Sequence, residues 1–111
     1  MKAAASARVD RVFQAVGDGT RRRMIERLSH GPATVTELAR PLDISLAAAT
    51  QHLHVLKRSG LVRTQKVGRV RTCQLDAAGL TVATDWLTEC RTQWERRLDR
   101  LGAVLAVDES R

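Results

Sequence analysis

Residues 45–60 read SLAAATQHLHVLKRSG, the pattern of one amphipathic helix with a boundary signal at each end. Ser45 is a favoured N-cap residue, and Gly60 is the residue type most often found just after a helix. At about 100° per residue, the apolar positions gather on one side of this helix. The predicted buried stripe consists of Leu46, Ala49, Leu53 and Leu56.

The residues before this helix predict a shorter helix that meets it at a tight turn. Thr34 and Glu37 have the spacing of a capping box, which marks a helix start. Asp43 belongs to a residue type that tolerates the left-handed backbone of a tight turn. Residues 34–59 therefore predict a helix-turn-helix, and Asp18 marks the start of an earlier helix in the same way.

After Gly60 the chain changes from helical to β character. Residues 61–66 and 70–75 are rich in β-branched residues and flank a turn that contains glycine, which is the signature of a β-hairpin. Over residues 77–107 the pattern is helical again, and we expect a break near Gly79.

Together these elements predict a mainly α fold with one small β-hairpin, a winged helix-turn-helix of about five helices plus the wing. A chain of 111 residues has room for one domain. Apolar residues recur at helical spacing only from Val9 onward, so we expect a flexible N-terminal arm before it. The expected divisions are an arm at 1–8 and a DNA-binding and dimerisation domain at 9–107, with 34–59 as the helix-turn-helix, 61–75 as the wing and 77–107 as the C-terminal dimerisation helix.

The side of the 45–60 helix opposite the predicted stripe carries small, polar and basic residues together with Val55. Small side chains near the helix start allow the backbone to approach DNA closely, and Gln51 can pair with an adenine edge. Thr50 can bond a base or a phosphate, and the basic residues near the helix end suit phosphate contacts. We expect DNA contacts from Ala47, Ala48, Thr50, Gln51, His54, Lys57 and Arg58 on the helix and from Arg63, Lys66, Arg69 and Arg71 on the wing.

The charge distribution indicates an anionic partner. The chain carries 19 Lys and Arg against 12 Asp and Glu, a formal net charge of +7. Residues 44–75 contain basic side chains and no Asp or Glu, whereas the chain after residue 75 is on balance acidic. The positive field is therefore concentrated on the predicted recognition helix and wing, as expected for a domain that binds double-stranded DNA.

The sequence resembles the ArsR-type bacterial repressors over roughly residues 9–105. The similarity is most specific at 45–62, which reads SLAAATQHLHVLKRSGLV. Residues 12–23, VFQAVGDGTRRR, resemble the start of the family domain, and Gly68-Arg69 resembles its wing. The resemblance implies a homodimer that binds an operator near its own promoter and represses transcription.

Within that family, one feature indicates a subgroup and another departs from the common pattern. Residues 94–101, WERRLDRL, are similar to a subgroup that lacks metal ligands. Leu46 and Ala47 stand where polar residues or proline are commoner in the family, which leaves the operator sequence open.

The C-terminal helix predicts a dimer interface. Leu80, Leu87, Trp94 and Leu101 recur every seven residues, and Cys90 falls between them on the same side. This apolar strip extends beyond what a small core needs, so we expect it to pack against a second copy of the chain. The expected interface residues are Phe13, Val16, Leu80, Leu87, Cys90, Trp94 and Leu101.

No metal, cofactor or membrane partner is expected. The histidines do not form a ligand cluster, because His52 and His54 point about 200° apart on one helix. We expect Cys73 and Cys90 to be small buried hydrophobic residues, with a thiol switch as the alternative. The amino terminus lacks the apolar core of a secretory signal, and no apolar run is long enough to span a membrane. Together with the scarcity of cysteine, this predicts a cytoplasmic protein.

The sequence predicts no enzyme, because it contains no nucleophile elbow and no glycine-rich phosphate loop. The function it favours is a sequence-specific transcriptional regulator, an autoregulating repressor that binds an inverted-repeat operator as a homodimer. Two alternatives stay open. One is a thiol- or ligand-responsive sensor on the same scaffold, with an unknown inducer, and the other is a winged-helix module that binds a partner other than DNA.

Overall fold

A computed structural model describes the backbone of residues 2–109 and the side chains of residues 5–107. Over this span the chain forms five helices and one two-stranded antiparallel hairpin. In chain order the elements are α1 (Lys2–Val16), α2 (Gly19–Leu28), α3 (Val35–Leu42), α4 (Leu46–Arg58), β1 (Val62–Val67), β2 (Val70–Leu75) and α5 (Ala77–Glu109). This order confirms the predicted winged helix-turn-helix.

The helix starts lie where local cap chemistry places them. The Asp18 carboxylate accepts a hydrogen bond from the Arg21 backbone N–H at 2.9 Å and caps α2. Thr34 and Glu37 form the complete capping box of α3. Asp43 ends α3 in the left-handed region at φ 53°, so the tight turn before α4 is made as predicted.

Two boundaries differ from the prediction. Helix α1 reaches back to Lys2, so residues 2–8 are helical where a separate N-terminal arm was expected; Met1 lies outside the described residues. This segment is rich in alanine, the strongest helix former, and continues the helix without needing apolar periodicity. Helix α5 runs through Gly79 without a break and extends to Glu109.

The core lies between α1–α4 and the base of the hairpin. It is aliphatic, and its largest fully buried side chains are Val12, Met24, Leu56, Leu61 and Cys73. Helix α4 contributes Ala49, Leu53 and Leu56 from the predicted stripe. Leu46, the fourth predicted member, is instead 55% exposed.

The exposure of Leu46 has a packing cause. Val55 packs against the core, and His52 is half-buried beside Asp18 and Arg21. The buried side of α4 is therefore rotated toward Val55 and His52, because α1 and α2 pack there. That rotation leaves Leu46 beyond the edge of the core.

The hairpin is anchored to the helical core at its base. Val62 pairs with Leu75 and Thr64 pairs with Cys73 in the antiparallel register. On the edge of β2 that faces away from β1, Cys73 and Ala33 exchange two backbone hydrogen bonds, at 3.0 and 2.7 Å. The base of the wing is therefore held against the loop that joins α2 and α3.

The N-terminal part of α5 packs on α1, and the rest of α5 projects away from the domain. The rings of Phe13 and Trp86 meet edge to face, with centroids 5.3 Å apart. Beyond this contact the helix carries exposed apolar side chains, and the chain measures 74 × 32 × 22 Å. Among the described residues, no helix is both long and apolar enough to cross a membrane.

Candidate nucleic-acid interface

The outer side of α4 carries most of the predicted DNA-contacting residues. Six of them are exposed: Ala47, Thr50, Gln51, His54, Lys57 and Arg58. Ala48, the seventh, is half-buried, since it lies on the side that the rotation of α4 turns toward the core. The structure thus gathers six of the seven helix positions on one surface.

The centre of this surface differs from the prediction. On the wheel Gln51 lies directly opposite the predicted stripe, but the observed exposed residues centre about 70° away from it, between Thr50 and His54. Gln51 is exposed at one border of the surface, and Leu46 is exposed at the other. The exposed side of α4, which we call the recognition surface for its predicted role, therefore includes Leu46, which the sequence placed in the core.

The start of α4 is held by hydrogen bonds within the helix. The Ser45 hydroxyl accepts from the Ala48 backbone N–H at 3.0 Å. The Thr50 hydroxyl donates to the Leu46 carbonyl at 2.7 Å. The proton of Thr50 is thus used internally, which leaves its methyl group and its oxygen lone pairs for an external ligand.

The wing presents its basic residues in different directions. Lys66 and Arg71 are directly opposite each other in the register, on the face that continues from Cys73 beyond the core. Arg63 lies on the other face of the hairpin, because successive residues in a strand alternate. Arg69 lies in the turn, next to Gly68 at φ 64°. All four are exposed, but they do not form a single patch.

The pairing of Lys66 with Arg71 is unfavourable for the isolated chain, since like charges directly opposite in a hairpin repel each other. The other four basic residues between 44 and 75 are exposed too. Within the described residues none of the six is ion-paired with a carboxylate. Such a surface becomes favourable when an anion neutralises it, as a phosphate backbone does.

Arg21 connects the inner side of α4 to the end of α1, a link that no sequence pattern indicates. Its guanidinium donates to the carbonyls of Ala15 and Gln14 at the end of α1, at 2.7 and 3.1 Å. The same group lies 3.4 Å from Nδ1 of His52 on α4. No local signal marks this contact, because Arg21 and His52 are 31 positions apart.

Asp18 stands at the centre of the same junction. The backbone N–H of Arg21 is the main reason that the pKa of Asp18 lies below its usual value, and the nearby charges of Arg21 and His52 act in the same direction. Partial burial of the Asp18 carboxylate raises its pKa and so opposes this shift. The carboxylate is therefore held in its charged form, in which it caps α2 best.

The two cysteines have different environments. Cys73 is fully buried as predicted, and burial raises the pKa of its thiol. Cys90 is exposed, so its prediction as a buried residue is wrong for the single chain. The reason is that α5 has projected beyond the core at this point, so that none of the described residues covers Cys90. The described residues contain no group of three or more His, Cys, Asp or Glu side chains that could hold a metal ion.

The predicted dimer residues divide into two groups. Phe13 and Val16 on α1 are half-buried within the domain. Leu80, Leu87, Trp94 and Leu101 are exposed on α5 together with Cys90. We call these five α5 residues the dimer seam. An open groove follows part of it, lined by Cys90, Trp94 and Arg97 among others.

Comparison with known proteins agrees with this geometry. A family described as a helix-turn-helix domain matches residues 16–65, the span from the end of α1 into the hairpin. The HTH-type transcriptional regulator Rv2034 of Mycobacterium tuberculosis is 47% identical over 89 residues, which cover 80% of this chain and 80% of that protein.

Two solved structures share the fold. An ArsR family transcriptional regulator, RHA00566, superposes with a TM-score of 0.75 at 46% identity, covering 81% of this chain and 93% of that one. The homodimeric winged helix-turn-helix DNA-binding domain of Mb0332 from Mycobacterium bovis, a possible ArsR-family regulator, superposes with a TM-score of 0.66 at 27% identity. That match covers 89% of each chain.

Proposed function

Because the chain belongs to the ArsR family of winged helix-turn-helix transcriptional regulators, we propose that it binds operator DNA as a homodimer and represses transcription from its own promoter. Helix α4 enters the major groove, and the wing contacts the adjacent backbone or minor groove. Repression by occupancy of a promoter requires no catalytic group, and the protein then acts in the cytoplasm, where the bacterial chromosome lies.

The observation that carries the DNA-binding role is the acid-free segment 44–75. Its six basic side chains are exposed, without carboxylate partners among the described residues, and two of them, Lys66 and Arg71, oppose each other. A surface that serves only for solubility would be expected to mix both signs of charge. A surface of one sign beside an exposed helix is what a phosphate backbone neutralises.

The dimer seam supports the homodimer. Trp94 is 57% exposed and Leu87 and Leu101 are exposed nearly as much, along one side of a helix about 50 Å long. Monomeric proteins rarely expose a contiguous apolar strip of this kind, and such strips mark interaction sites. A twofold axis beside this helix would relate two copies of α4 in one dimer. The operator would then be an inverted repeat with half-site centres about 34 Å apart, or a multiple of that distance.

The test is a mobility shift on duplex DNA from the region upstream of the coding sequence, followed by protection footprinting. We expect a protected inverted repeat and a steep loss of affinity with salt, since each subunit has a net charge of +7. A reporter fused to the same region should become more active when the protein is absent. A reporter that becomes less active would show an activator, and equal binding to every duplex would contradict sequence-specific regulation.

A further inference from the structure

The first turn of α4 carries an exposed aliphatic side chain at the place where a recognition helix meets DNA. Leu46 is 55% exposed, although the residue type favours burial. It is the first residue of α4, directly after the N-cap Ser45. Its position is therefore fixed by the cap, and no residue of the core covers it.

Leu46 lies at the border of the recognition surface, at the end of a row of residues that leads to its centre. Residues four positions apart on a helix are neighbours, so Leu46 is adjacent to Thr50, and Thr50 is adjacent to His54. Ala47 is exposed on the same side. The first two turns of this surface therefore present hydrocarbon groups from Leu46 and Ala47 and the methyl of Thr50.

Leu46, Ala47 and Thr50 offer no free side-chain donor. Thr50 uses its hydroxyl proton on the Leu46 carbonyl at 2.7 Å, and the other two residues have no polar side-chain atoms. The first long polar side chain on the surface is Gln51, at its border. Among the base edges in the major groove, the matching apolar group is the C5-methyl of thymine.

We propose that Leu46, supported by Ala47, packs against thymine methyl groups of the operator and thereby specifies thymine at one position of each half-site. This proposal rests on the proposed function and names what the start of α4 reads. A protein partner is the less favoured occupant, because the exposed leucine lies at the start of the acid-free basic segment 44–75. An apolar patch in that setting faces DNA.

The experiment begins with selection of bound sequences from a randomised duplex pool by the unchanged protein. The selected duplex is then synthesised with each thymine replaced in turn by deoxyuridine, which lacks only the methyl. We expect one replacement per half-site to weaken binding about fourfold, which corresponds to the free energy of burying one methyl group. Replacement of the other thymines should have little effect.

The side chain responsible is identified by repeating the series with variants. Leu46→Ala should bind the thymine duplex more weakly and should no longer distinguish thymine from deoxyuridine at that position. Leu46→Met, which conserves volume, should keep the discrimination. Val67→Ala is the matched control, because Val67 is a similarly exposed aliphatic residue at the wing, and this variant should discriminate as the unchanged protein does.

The outcomes separate the two proposals. Equal discrimination by the unchanged protein and by Leu46→Ala overturns the assignment of Leu46 while leaving the regulator intact. Selection of sequences without a constant thymine has the same consequence. Failure of the unchanged protein to enrich any sequence overturns the proposed function, and the thymine contact with it. Because Leu46 is exposed, thermal unfolding of Leu46→Ala should match the unchanged protein.

Discussion

Gly79, in the first turns of α5, lies against the backbone of Gly60 at the turn between α4 and β1. Its N–H donates to the Gly60 carbonyl oxygen at 3.0 Å. A Cβ added to Gly79 would lie 2.6 Å from the Gly60 carbonyl carbon and 2.7 Å from the Leu61 nitrogen. The end of α4 is thereby joined to the start of α5 by direct backbone contact.

The first prediction concerns this contact. Gly79→Ala should lower the free energy of unfolding by about 1–3 kcal/mol, because the methyl must displace backbone atoms that are fixed in two elements. The control is Gly102→Ala in the same helix, where an added Cβ meets nothing within 4 Å. That variant should be unchanged or more stable by up to about 1 kcal/mol, as alanine favours helix. Urea unfolding of both variants gives the comparison, and equal effects would show that the close approach is not strained.

The second prediction concerns acid stability. The pKa of Asp18 is lower in the folded protein than in the unfolded chain, mainly through the Arg21 N–H. Its contribution to the free energy of unfolding is therefore present above the unfolded pKa of about 4. This contribution is lost as the pH falls through the folded pKa. Asp18→Asn keeps a capping acceptor but cannot titrate, so the acid side of its stability curve should be flatter.

Asp18→Ala separates the charge from the cap. This variant loses the acceptor as well and should be less stable than the unchanged protein by about 1 kcal/mol at neutral pH. Unfolding by urea at a series of pH values from 3 to about 7 measures all three proteins. An acid limb in Asp18→Asn as steep as that of the unchanged protein would assign the effect to other carboxylates.

The third prediction concerns the dimer seam. Trp94→Glu should convert the homodimer to a monomer, since it places an unpaired charge in an apolar interface. The chain itself should stay folded, because Trp94 is exposed in the single subunit. Thr88→Glu adds the same charge on the other side of α5 and should leave the dimer intact. Sedimentation at micromolar concentration distinguishes these cases, and a monomeric unchanged protein would refute the interface.

The fourth prediction separates sequence readout from phosphate contact. Gln51→Ala should weaken binding to the selected duplex by about 1–3 kcal/mol and binding to random duplex hardly at all. Arg69→Ala should weaken both and should reduce the salt slope by about one unit. Titration of both variants on both duplexes over a salt series gives these values. Equal losses on both duplexes for Gln51→Ala would show that the border of the recognition surface does not read bases.

The fifth prediction concerns the thiols. Cys73 is buried and burial raises the pKa of its thiol, so a thiol reagent should modify it only as fast as the protein unfolds. Cys90 should be protected in the dimer and should react rapidly in Trp94→Glu. The variant Cys90→Ser should then show no fast reaction in either background. Rapid modification of Cys73 in the folded protein would contradict its place in the core.

Much of the fold was predictable because its signals are local. The caps at Asp18, Thr34 and Ser45 each depend on an acceptor and a backbone N–H three positions later, so the sequence contains the whole interaction. The hairpin follows from two β-branched runs around Gly68 in the same way. The absence of Asp and Glu from residues 44–75 follows from the sequence alone.

Contacts between distant residues decided the rest. Amphipathic spacing alone determined that α4 has a buried side. The rotation of that side depends on contacts of His52 with Arg21 and Asp18, which lie 31 and 34 positions earlier in the chain. That rotation moved Leu46 from the expected core to the exposed side of α4. The role of Gly79 likewise depends on Gly60. Local chemistry determines where elements begin and end, whereas the packing of one element on another determines which atoms each presents to its ligand.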